Sequence, residues 1–286
     1  MKEGPSERVD NLAIRIAVVI PARMASSRFP GKPLVRIRNL PMIEHVRRRA
    51  LLCPGFTEHV VATCDQPIAE VVRAYGGRVI MTSPDHPGAV DRIAEAVEGM
   101  DCTHVVNLQG DEVLVLPQDL EKLIEAVRLA PGVKAWTAVA PIERREELGD
   151  PSWVKCILSR SGRIAFCTRD FTSLPVSAEK SFRPVHKILG VSVFRKDFLA
   201  AYLALERTPL EMAEAIDQSR LIEHDIVIQG IRFAKGYTGI NYAKEVPLVE
   251  SCLDEDALQG MVLKRILPQE ALFVSSVGGT RSARHE

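Results

Sequence analysis

The sequence lacks several features that point to particular partners. It carries no net charge, with 37 Lys and Arg residues against 37 Asp and Glu residues, so no excess of positive charge favours nucleic acid or an anionic membrane. Only 5% of its residues are aromatic, which gives little support to a surface that stacks bases. No apolar run approaches the roughly 20 residues that a membrane-spanning helix needs. We therefore expect neither a nucleic acid nor a membrane as partner.

Closely spaced cysteine pairs of the C-x-x-C type are also absent. The six cysteines are scattered along the chain at Cys53, Cys64, Cys102, Cys156, Cys167 and Cys252. Most have apolar sequence neighbours, which favours buried, reduced thiols over disulfides or a zinc site. We therefore predict a cytoplasmic protein.

The two ends of the 286-residue chain differ in composition from its interior. Residues 1–13 are polar and carry charges of both signs, which predicts a flexible extension. Residues 269–286 end in a stretch rich in Gly, Ser and Arg, which predicts a disordered tail. An ordered region is expected over residues 14–268, long enough for one large domain or two small ones.

Short apolar runs alternate with helical patterns over residues 14–130. The run Ile16–Ile20 is apolar on both faces, which predicts a buried parallel strand. Further strands are predicted at His59–Thr63, Arg78–Met81 and His104–Leu108, and helices at Met42–Cys53, Pro67–Tyr75 and Asp91–Met100. This alternation predicts right-handed βαβ units, a mainly parallel sheet and hence an α/β fold.

The second half of the chain has a different pattern. Ser161-Gly162 separates two apolar runs, Trp153–Leu158 and Arg163–Thr168, and so predicts a hairpin. Residues 173–184 are polar and contain prolines, which predicts the least structured interior loop. Strands are also predicted at Ala135–Ala140, Ile188–Phe194 and Ile226–Ala234, and helices at Lys196–Leu205, Leu210–Glu223 and within Val246–Ile266.

A cationic loop follows the first predicted strand. It begins at Pro21 and carries Arg23, Arg28 and Lys32 among small residues. Ligands of α/β proteins bind where strands end, and small residues let backbone N–H groups approach an anion while Arg and Lys supply charge. We interpret this loop as a triphosphate site; an ordinary surface loop is the alternative. It is not a Walker P-loop, because Pro33 follows the lysine in place of Ser or Thr.

A pair of carboxylates, Asp111 and Glu112, follows the fourth predicted strand within Gln109-Gly110-Asp111-Glu112. Because parallel strands end at the same edge of a sheet, Asp111 could hold Mg²⁺ against phosphates bound by the first loop. Alone, the pair fits a turn or a helix N-cap equally well. Together with the cationic loop, it predicts a metal-assisted nucleotide site.

The segment Pro21-Ala-Arg-Met-Ala-Ser-Ser-Arg-Phe-Pro-Gly-Lys-Pro-Leu34 resembles the signature loop of the CMP-Kdo synthetases, the 3-deoxy-manno-octulosonate cytidylyltransferases. The similarity continues at Val61-Ala62-Thr63, Gly76-Gly77, Asp85-His86 and residues 109–112, and more loosely to about residue 250. It implies a Rossmann-like nucleotidyltransferase domain over residues 14–268, with a smaller dimerisation and acceptor part within about 135–235. It also implies a homodimer that transfers CMP from CTP to a small acidic substrate, uses Mg²⁺ and releases pyrophosphate.

The resemblance also implies roles for individual residues. Arg23 and Lys32 would neutralise the triphosphate and Asp111 would bind Mg²⁺, which makes these three the candidate catalytic residues. Such a set is physically reasonable, because phosphoryl-type transfer depends mainly on alignment and charge stabilisation. The nucleotide-binding residues implied in this way are Pro21, Ala22, Arg23, Ser27, Arg28, Lys32 and Gln109.

The chain departs from the family pattern in the half that would bind the acceptor. Asn241 stands where the family usually has a second metal-binding Asp, so a metal there has one negative charge fewer among its ligands. The family segment Arg-His-Leu-Gly-Ile-Tyr appears as residues 187–192, with Ile188 and Ser192 in place of its His and Tyr. The candidate acceptor-binding residues are Arg92, Lys187, Ser192, Asp217 and Gln218.

This altered half leads to a hypothesis about the substrate. A site that has lost hydrogen-bonding side chains should select a different acid, so we expect an acceptor other than ordinary 3-deoxy-manno-octulosonate. Phosphonoformate, from a phosphonate natural-product pathway, and an amino analogue of the sugar acid are the concrete candidates. The unchanged sugar acid remains an alternative, and a non-catalytic nucleotide-binding regulator is the alternative of a different class.

Overall fold

The structure is a computed structural model that describes residues 13–26, 28–173 and 184–267. The strands are β1 (Ile16–Ala22), β2 (Arg36–Ile37), β3 (Leu40–Pro41), β4 (Glu58–Thr63), β5 (Arg78–Met81), β6 (His104–Leu108), β7 (Ala135–Pro141), β8 (Lys155–Leu158), β9 (Ile164–Thr168), β10 (Val185–Arg195) and β11 (Ile228–Arg232). The α-helices are α1 (Met42–Leu51), α2 (Gln66–Ala74), α3 (Ala89–Val97), α4 (Pro117–Leu129), α5 (Lys196–Ala204), α6 (Pro209–Glu214), α7 (Asp217–Glu223), α8 (Val246–Glu255) and α9 (Ala257–Ile266). The predicted tail, nearly all of the predicted extension and most of the predicted loop at 173–184 lie outside the described residues.

The central sheet has the strand order β11-β7-β10-β6-β1-β4-β5. Strand β1 runs parallel to both β4 and β6, and β4 runs parallel to β5. Strand β10 runs antiparallel to β6 and to β7, whereas β11 is parallel to β7. The predicted α/β class with a mainly parallel sheet is confirmed, and β10 is the strand of this path that runs in the opposite direction.

Strand β1 lies between two hydrophobic cores. Its residues Ile16, Val18 and Ile20 belong to one core, and Ala17 and Val19 belong to the other. Because successive side chains of a strand point to opposite faces, this division shows that β1 is covered on both sides. The apolar run that predicted a buried parallel strand is explained by this position.

The hairpin of β8 and β9 extends the central sheet at β10; the smaller dimerisation and acceptor part that the resemblance implies stays a prediction. The first residues of β10, Val185–Lys187, pair with Ile157–Lys155 of β8, and β8 pairs antiparallel with β9. The predicted hairpin is therefore confirmed. The dimer that the resemblance implies stays a prediction, since the structure contains one chain.

The single helix predicted over Leu210–Glu223 is wrong. The structure has two short helices, α6 and α7, and Ala215 between them adopts a left-handed conformation with φ 53°. Arg169 holds this break, because its guanidinium donates to the carbonyl oxygens of Glu214, at 2.7 Å, and Ala215, at 3.1 Å. Helical spacing continues across the break, so periodicity alone could not locate it.

In the described part of the chain, no helix is long and apolar enough to cross a membrane.

Candidate active site

The loops after β1 and β6 meet at the carboxyl edge of the sheet. Gly110 makes this approach possible, because a Cβ atom at that position would lie 3.2 Å from the carbonyl oxygen of Pro21. The first loop is also tied to the start of α2, since the backbone N–H of Met24 donates to the carboxylate of Asp65 at 2.8 Å. Both loops are therefore fixed by contacts of backbone atoms, independently of a ligand.

Lys32 joins three segments that are distant in sequence. Its ammonium donates to Asp111 Oδ2 at 2.7 Å and to the carbonyl oxygen of Ile240 at 2.8 Å. The lysine follows Gly31, whose φ of 74° turns the chain into the short helical turn Lys32–Leu34. The structure thus brings the cationic loop, the carboxylate loop and the segment before Asn241 to one point.

A cavity of about 280 Å³ lies over this point. It brings together six of the predicted nucleotide-binding residues, and Asp111 lines it as well. The six are Pro21, Ala22, Arg23, Arg28, Lys32 and Gln109. Arg23 and Arg28 are exposed to solvent, so their charges face the opening. Ser27, the remaining residue predicted for this set, lies outside the described residues.

A second, larger cleft of about 480 Å³ adjoins the first cavity. The two share Arg28, Gln109 and Asp111. The far wall of the cleft comes from residues 151–154 before β8, from Arg169 after β9 and from the start of α7, where Asp217 and Gln218 lie. The predicted acceptor-binding residues Asp217 and Gln218 and the predicted metal ligands Asp111 and Asn241 therefore line the same space.

The far wall is held by two cations that bind backbone carbonyl groups. The fully buried Lys155 donates to the carbonyl oxygens of Trp153, at 3.1 Å, and of Asp150 and Arg169. Arg169 in turn donates to the carbonyl oxygen of Pro151 at 2.8 Å. Burial lowers the pKa of the Lys155 ammonium. Its partners are distributed over separate turns, so no local sequence pattern identifies this arrangement.

Glu112 is a site residue to which the sequence assigned no role of its own. Its Oε1 atom accepts the backbone N–H of Gly190 at 2.7 Å, and a Cβ atom at Gly190 would lie 2.6 Å from the same oxygen. Burial and the neighbouring Asp111 raise the pKa of Glu112 to about 7, against the opposing effects of the Gly190 N–H and Lys32. The carboxylate pair itself was the available signal, but the contact with β10 depends on the tertiary fold.

Arg92 lies apart from the large cleft, although the sequence predicted it to bind the acceptor. It is buried and donates to Thr82 and to the carbonyl oxygen of Ser83. It lines a separate cavity of about 140 Å³ together with Pro21, Ala22, Arg23 and His86. The structure therefore places Arg92 beside the first loop, on the side where Arg23 lies.

Lys187 also lies outside the large cleft. Its side chain is buried, its ammonium donates to Glu147 Oε1 at 3.2 Å, and its Nζ atom lies 4.8 Å from the centre of the Trp153 ring. The buried carboxylate of Glu147 compensates the charge of the buried ammonium, so this ion pair fixes the Lys187 side chain in the protein interior. Ser192 lines a fourth, smaller cavity together with Asp217 and Gln218.

Magnesium fits the donors at this site only in combination with phosphate groups. Among the described residues there is no group of three or more His, Cys, Asp or Glu side chains that could hold a metal by themselves. Mg²⁺ is commonly bound by one or two carboxylates together with substrate phosphates and water. Asp111 lines both the cationic cavity and the larger cleft, and Asn241 lines the cleft, so these two are the side chains that could hold such an ion.

Comparison with known proteins identifies the family. A family model described as "Cytidylyltransferase" matches residues 17–232. The chain is 37% identical over 235 residues to the 3-deoxy-manno-octulosonate cytidylyltransferase of Acaryochloris marina, which covers 82% of this chain and 95% of that protein. The chain belongs to the cytidylyltransferase family.

Other relatives of this cytidylyltransferase differ in the acid that their names specify. The chain is 35% identical over 247 residues to the 8-amino-3,8-dideoxy-manno-octulosonate cytidylyltransferase of Shewanella sediminis, covering 85% of this chain and 100% of that protein. The solved structure of a CMP:2-keto-3-deoxy-manno-octonic acid synthetase complexed with CTP matches with a TM-score of 0.79 and 34% identity, over 85% of this chain and 99% of that one. The predicted family and fold are confirmed, while identities of 37% and 35% do not separate the two kinds of acceptor.

Proposed function

We propose that this cytidylyltransferase transfers CMP from CTP to a small sugar acid, with Mg²⁺ as cofactor. The observation that carries the proposal is the contact between Lys32 Nζ and Asp111 Oδ2, at 2.7 Å, where the two cavities meet. It joins a cation suited to phosphates and a carboxylate suited to a metal. The neighbouring cleft gives an acceptor access to the same point.

The smaller of these cavities suits the triphosphate. Arg23, Arg28 and Lys32 line it, so their charges can neutralise the phosphates and the pyrophosphate that leaves. The adjoining cavity beside Arg92 and His86 continues from Arg23. We assign the cytosine ring to that cavity, because it lies on the other side of the triphosphate from the acceptor cleft. Arg92 then binds the nucleotide and not the acid.

Asp111, with Asn241, would hold the Mg²⁺ ion. When bound, the ion supplies Lewis-acid stabilisation of charge on the phosphate oxygens. The chain's own residues align the reactants: an acceptor oxygen in the cleft attacks the α-phosphorus of CTP, and the bond from that phosphorus to the oxygen bridging to the β-phosphate breaks. Positioning of this kind contributes a large part of the rate in such transfers.

The size of the cleft favours an acceptor with several carbons. A volume of about 480 Å³ lies within the range of typical small-molecule sites and leaves room for an eight-carbon sugar acid. Phosphonoformate is much smaller and would leave most of this space to water. We therefore propose an octulosonate-type acid, and phosphonoformate becomes an outcome of the test.

Pyrophosphate release tests the proposal directly. The enzyme is incubated with CTP, Mg²⁺ and, in separate reactions, 3-deoxy-manno-octulosonate, its 8-amino-8-deoxy analogue or phosphonoformate. We expect release with at least one of the two sugar acids and none without an acid. Release with phosphonoformate alone would contradict the proposed acceptor. Binding of CTP without release under any condition would support the regulator instead.

A further inference from the structure

A cavity of about 40 Å³ lies behind Ser192 and next to the large cleft. Its walls include Gln109, Gly190, Asp217 and Gln218, all of which also line the cleft. A group on a bound acceptor can therefore enter it from the cleft. The cavity has the volume of one or two water-sized groups, which is enough for a small substituent such as an aminomethyl group.

Three polar side chains form a row across the sheet at this cavity. Ser192 of β10 is paired in register with Asn107 of β6 on one side and with Thr137 of β7 on the other. Cross-strand partners point to the same face of a sheet, and all three residues line the cavity.

Asn107 has an unused hydrogen-bonding atom at the cavity. Only 4% of the residue is exposed, and its Nδ2 atom donates to Ser192 Oγ at 3.3 Å. Its Oδ1 atom is buried and has no hydrogen-bond partner among the described residues. A buried polar atom left without a partner is destabilising. A ligand that donates a hydrogen bond to this oxygen would remove that cost.

The charges around the cavity favour a cation over an anion. Asp217 stands at its mouth, and no Lys, Arg or His is among its described lining residues. Trp136 and Phe194 also line it, as does Tyr202, whose ring already packs against Arg220, with Cζ 5.0 Å from the ring centre. Aromatic faces attract ammonium groups, and a carboxylate provides a counter-charge. A carboxylate or phosphonate of the acceptor would meet no cation here.

We propose that this cavity is a specificity subsite that receives a protonated primary amine at the far end of the sugar acid. The amine donates to Asn107 Oδ1 and Ser192 Oγ and faces Asp217. The inference rests on the proposed function, since the sugar acid must occupy the large cleft. A terminal hydroxyl can also donate to Asn107, but as a neutral group it gains less from the carboxylate than an ammonium does.

The test compares two acids that differ only in the terminal group, 3-deoxy-manno-octulosonate and its 8-amino-8-deoxy analogue. Pyrophosphate release gives kcat/KM for each. We expect kcat/KM to be at least tenfold higher for the 8-amino-8-deoxy analogue. Ser192→Tyr should reduce kcat/KM for the 8-amino-8-deoxy analogue at least tenfold and abolish the preference for it. Asn107→Leu keeps a similar side-chain volume and should weaken the preference. This variant tests the subsite if Ser192→Tyr does not fold.

Ser219→Ala is the matched control. Ser219 is a fully buried serine on α7 whose Oγ also lacks a partner among the described residues, but it does not line the cavity. Its substitution should leave the preference unchanged. Equal use of the two acids, or a preference that survives both Ser192→Tyr and Asn107→Leu, would overturn the subsite alone. Release with neither acid would overturn the proposed function and the subsite with it.

Discussion

Lys32 and Asp111 form an ion pair at 2.7 Å across 79 residues of sequence. The two side chains are 15% and 21% exposed, so the pair is partly shielded from water and lies at the floor of the cavity assigned to the triphosphate. Each group neutralises the charge of the other and holds it in place. Under the proposed function both are thereby positioned for the phosphates and the metal, and preorganised charge of this kind lowers a barrier.

Removing the Lys32 ammonium should therefore reduce turnover far more than it reduces stability. For Lys32→Ala we expect kcat to fall by about 10²–10³-fold, the size seen when one preorganised donor is lost. Steady-state pyrophosphate release measures the rate, and thermal unfolding checks the fold. The matched control is Lys122→Ala, which removes a comparable pair, Lys122 Nζ to Asp119 Oδ1 at 2.8 Å, on the surface of α4. A rate close to that of the parent for Lys32→Ala would contradict the assigned role.

Restoring a carboxylate at position 241 should strengthen the metal site. Asn241 lines the same cleft as Asp111, and the backbone N–H of Asn241 is held by Glu245. For Asn241→Asp we expect half-maximal activity at a several-fold lower Mg²⁺ concentration, since hard cations prefer charged oxygen ligands. Titration with Mg²⁺ after removal of metal by a chelator measures this. Asn39→Asp, an exposed turn position, is the control, and an unchanged titration for Asn241→Asp would place that residue away from the metal.

Lys155 should act on the acceptor through the wall of the cleft and not by contact. Lys155→Met removes a buried ammonium that donates to three carbonyl groups. Because hydrogen bonds of charged groups are worth about 1.5–3 kcal/mol, we expect unfolding in urea to require about 2–4 kcal/mol less free energy. KM for the acid should rise while KM for CTP stays near its original value. Lys134→Met, at an exposed position, is the control. Equal changes in the KM values for the acid and for CTP would contradict an effect of Lys155 on the acceptor cleft alone.

The parts of the fold that follow local rules could be predicted from the sequence. The strands β1, β4, β5 and β6 lie close to their predicted ranges. For β1 the reason is that a run buried on both faces needs apolar residues throughout, whereas β5 is a partly exposed strand at the edge of the sheet. The cationic loop and the carboxylate loop meet as expected, since neighbouring parallel strands end at one edge.

Contacts made between distant segments could not be predicted. Arg92 and Lys187 were predicted to bind the acceptor, which stays a prediction; the structure shows them bound to Thr82 and Glu147, outside the large cleft. Glu112 depends on Gly190, 78 residues away. The helix break at Ala215 depends on Arg169, a residue of another element. In each case the deciding partner is brought near only by the tertiary fold, and no local pattern records it.

His45 should make the protein less stable in mildly acidic solution. This fully buried residue of α1 has Nε2 2.7 Å from the carbonyl oxygen of Ile37, and burial lowers its pKa from 6.5 to about 4. Between these values the unfolded chain takes up a proton that the folded chain does not, so stability falls as pH falls and is retained above pH 6.5. The loss approaches about 3 kcal/mol at 1.36 kcal/mol per pKa unit.

Urea unfolding at a series of pH values between 7 and 4 checks this prediction. His45→Gln cannot take up a proton and keeps an N–H donor for Ile37, so its free energy of unfolding should fall less steeply than that of the parent over this range. The exposed His224→Gln should follow the parent curve. Equal slopes for the parent and His45→Gln would mean that other groups govern the acid sensitivity, among them His59 and His104, whose pKa values burial also lowers.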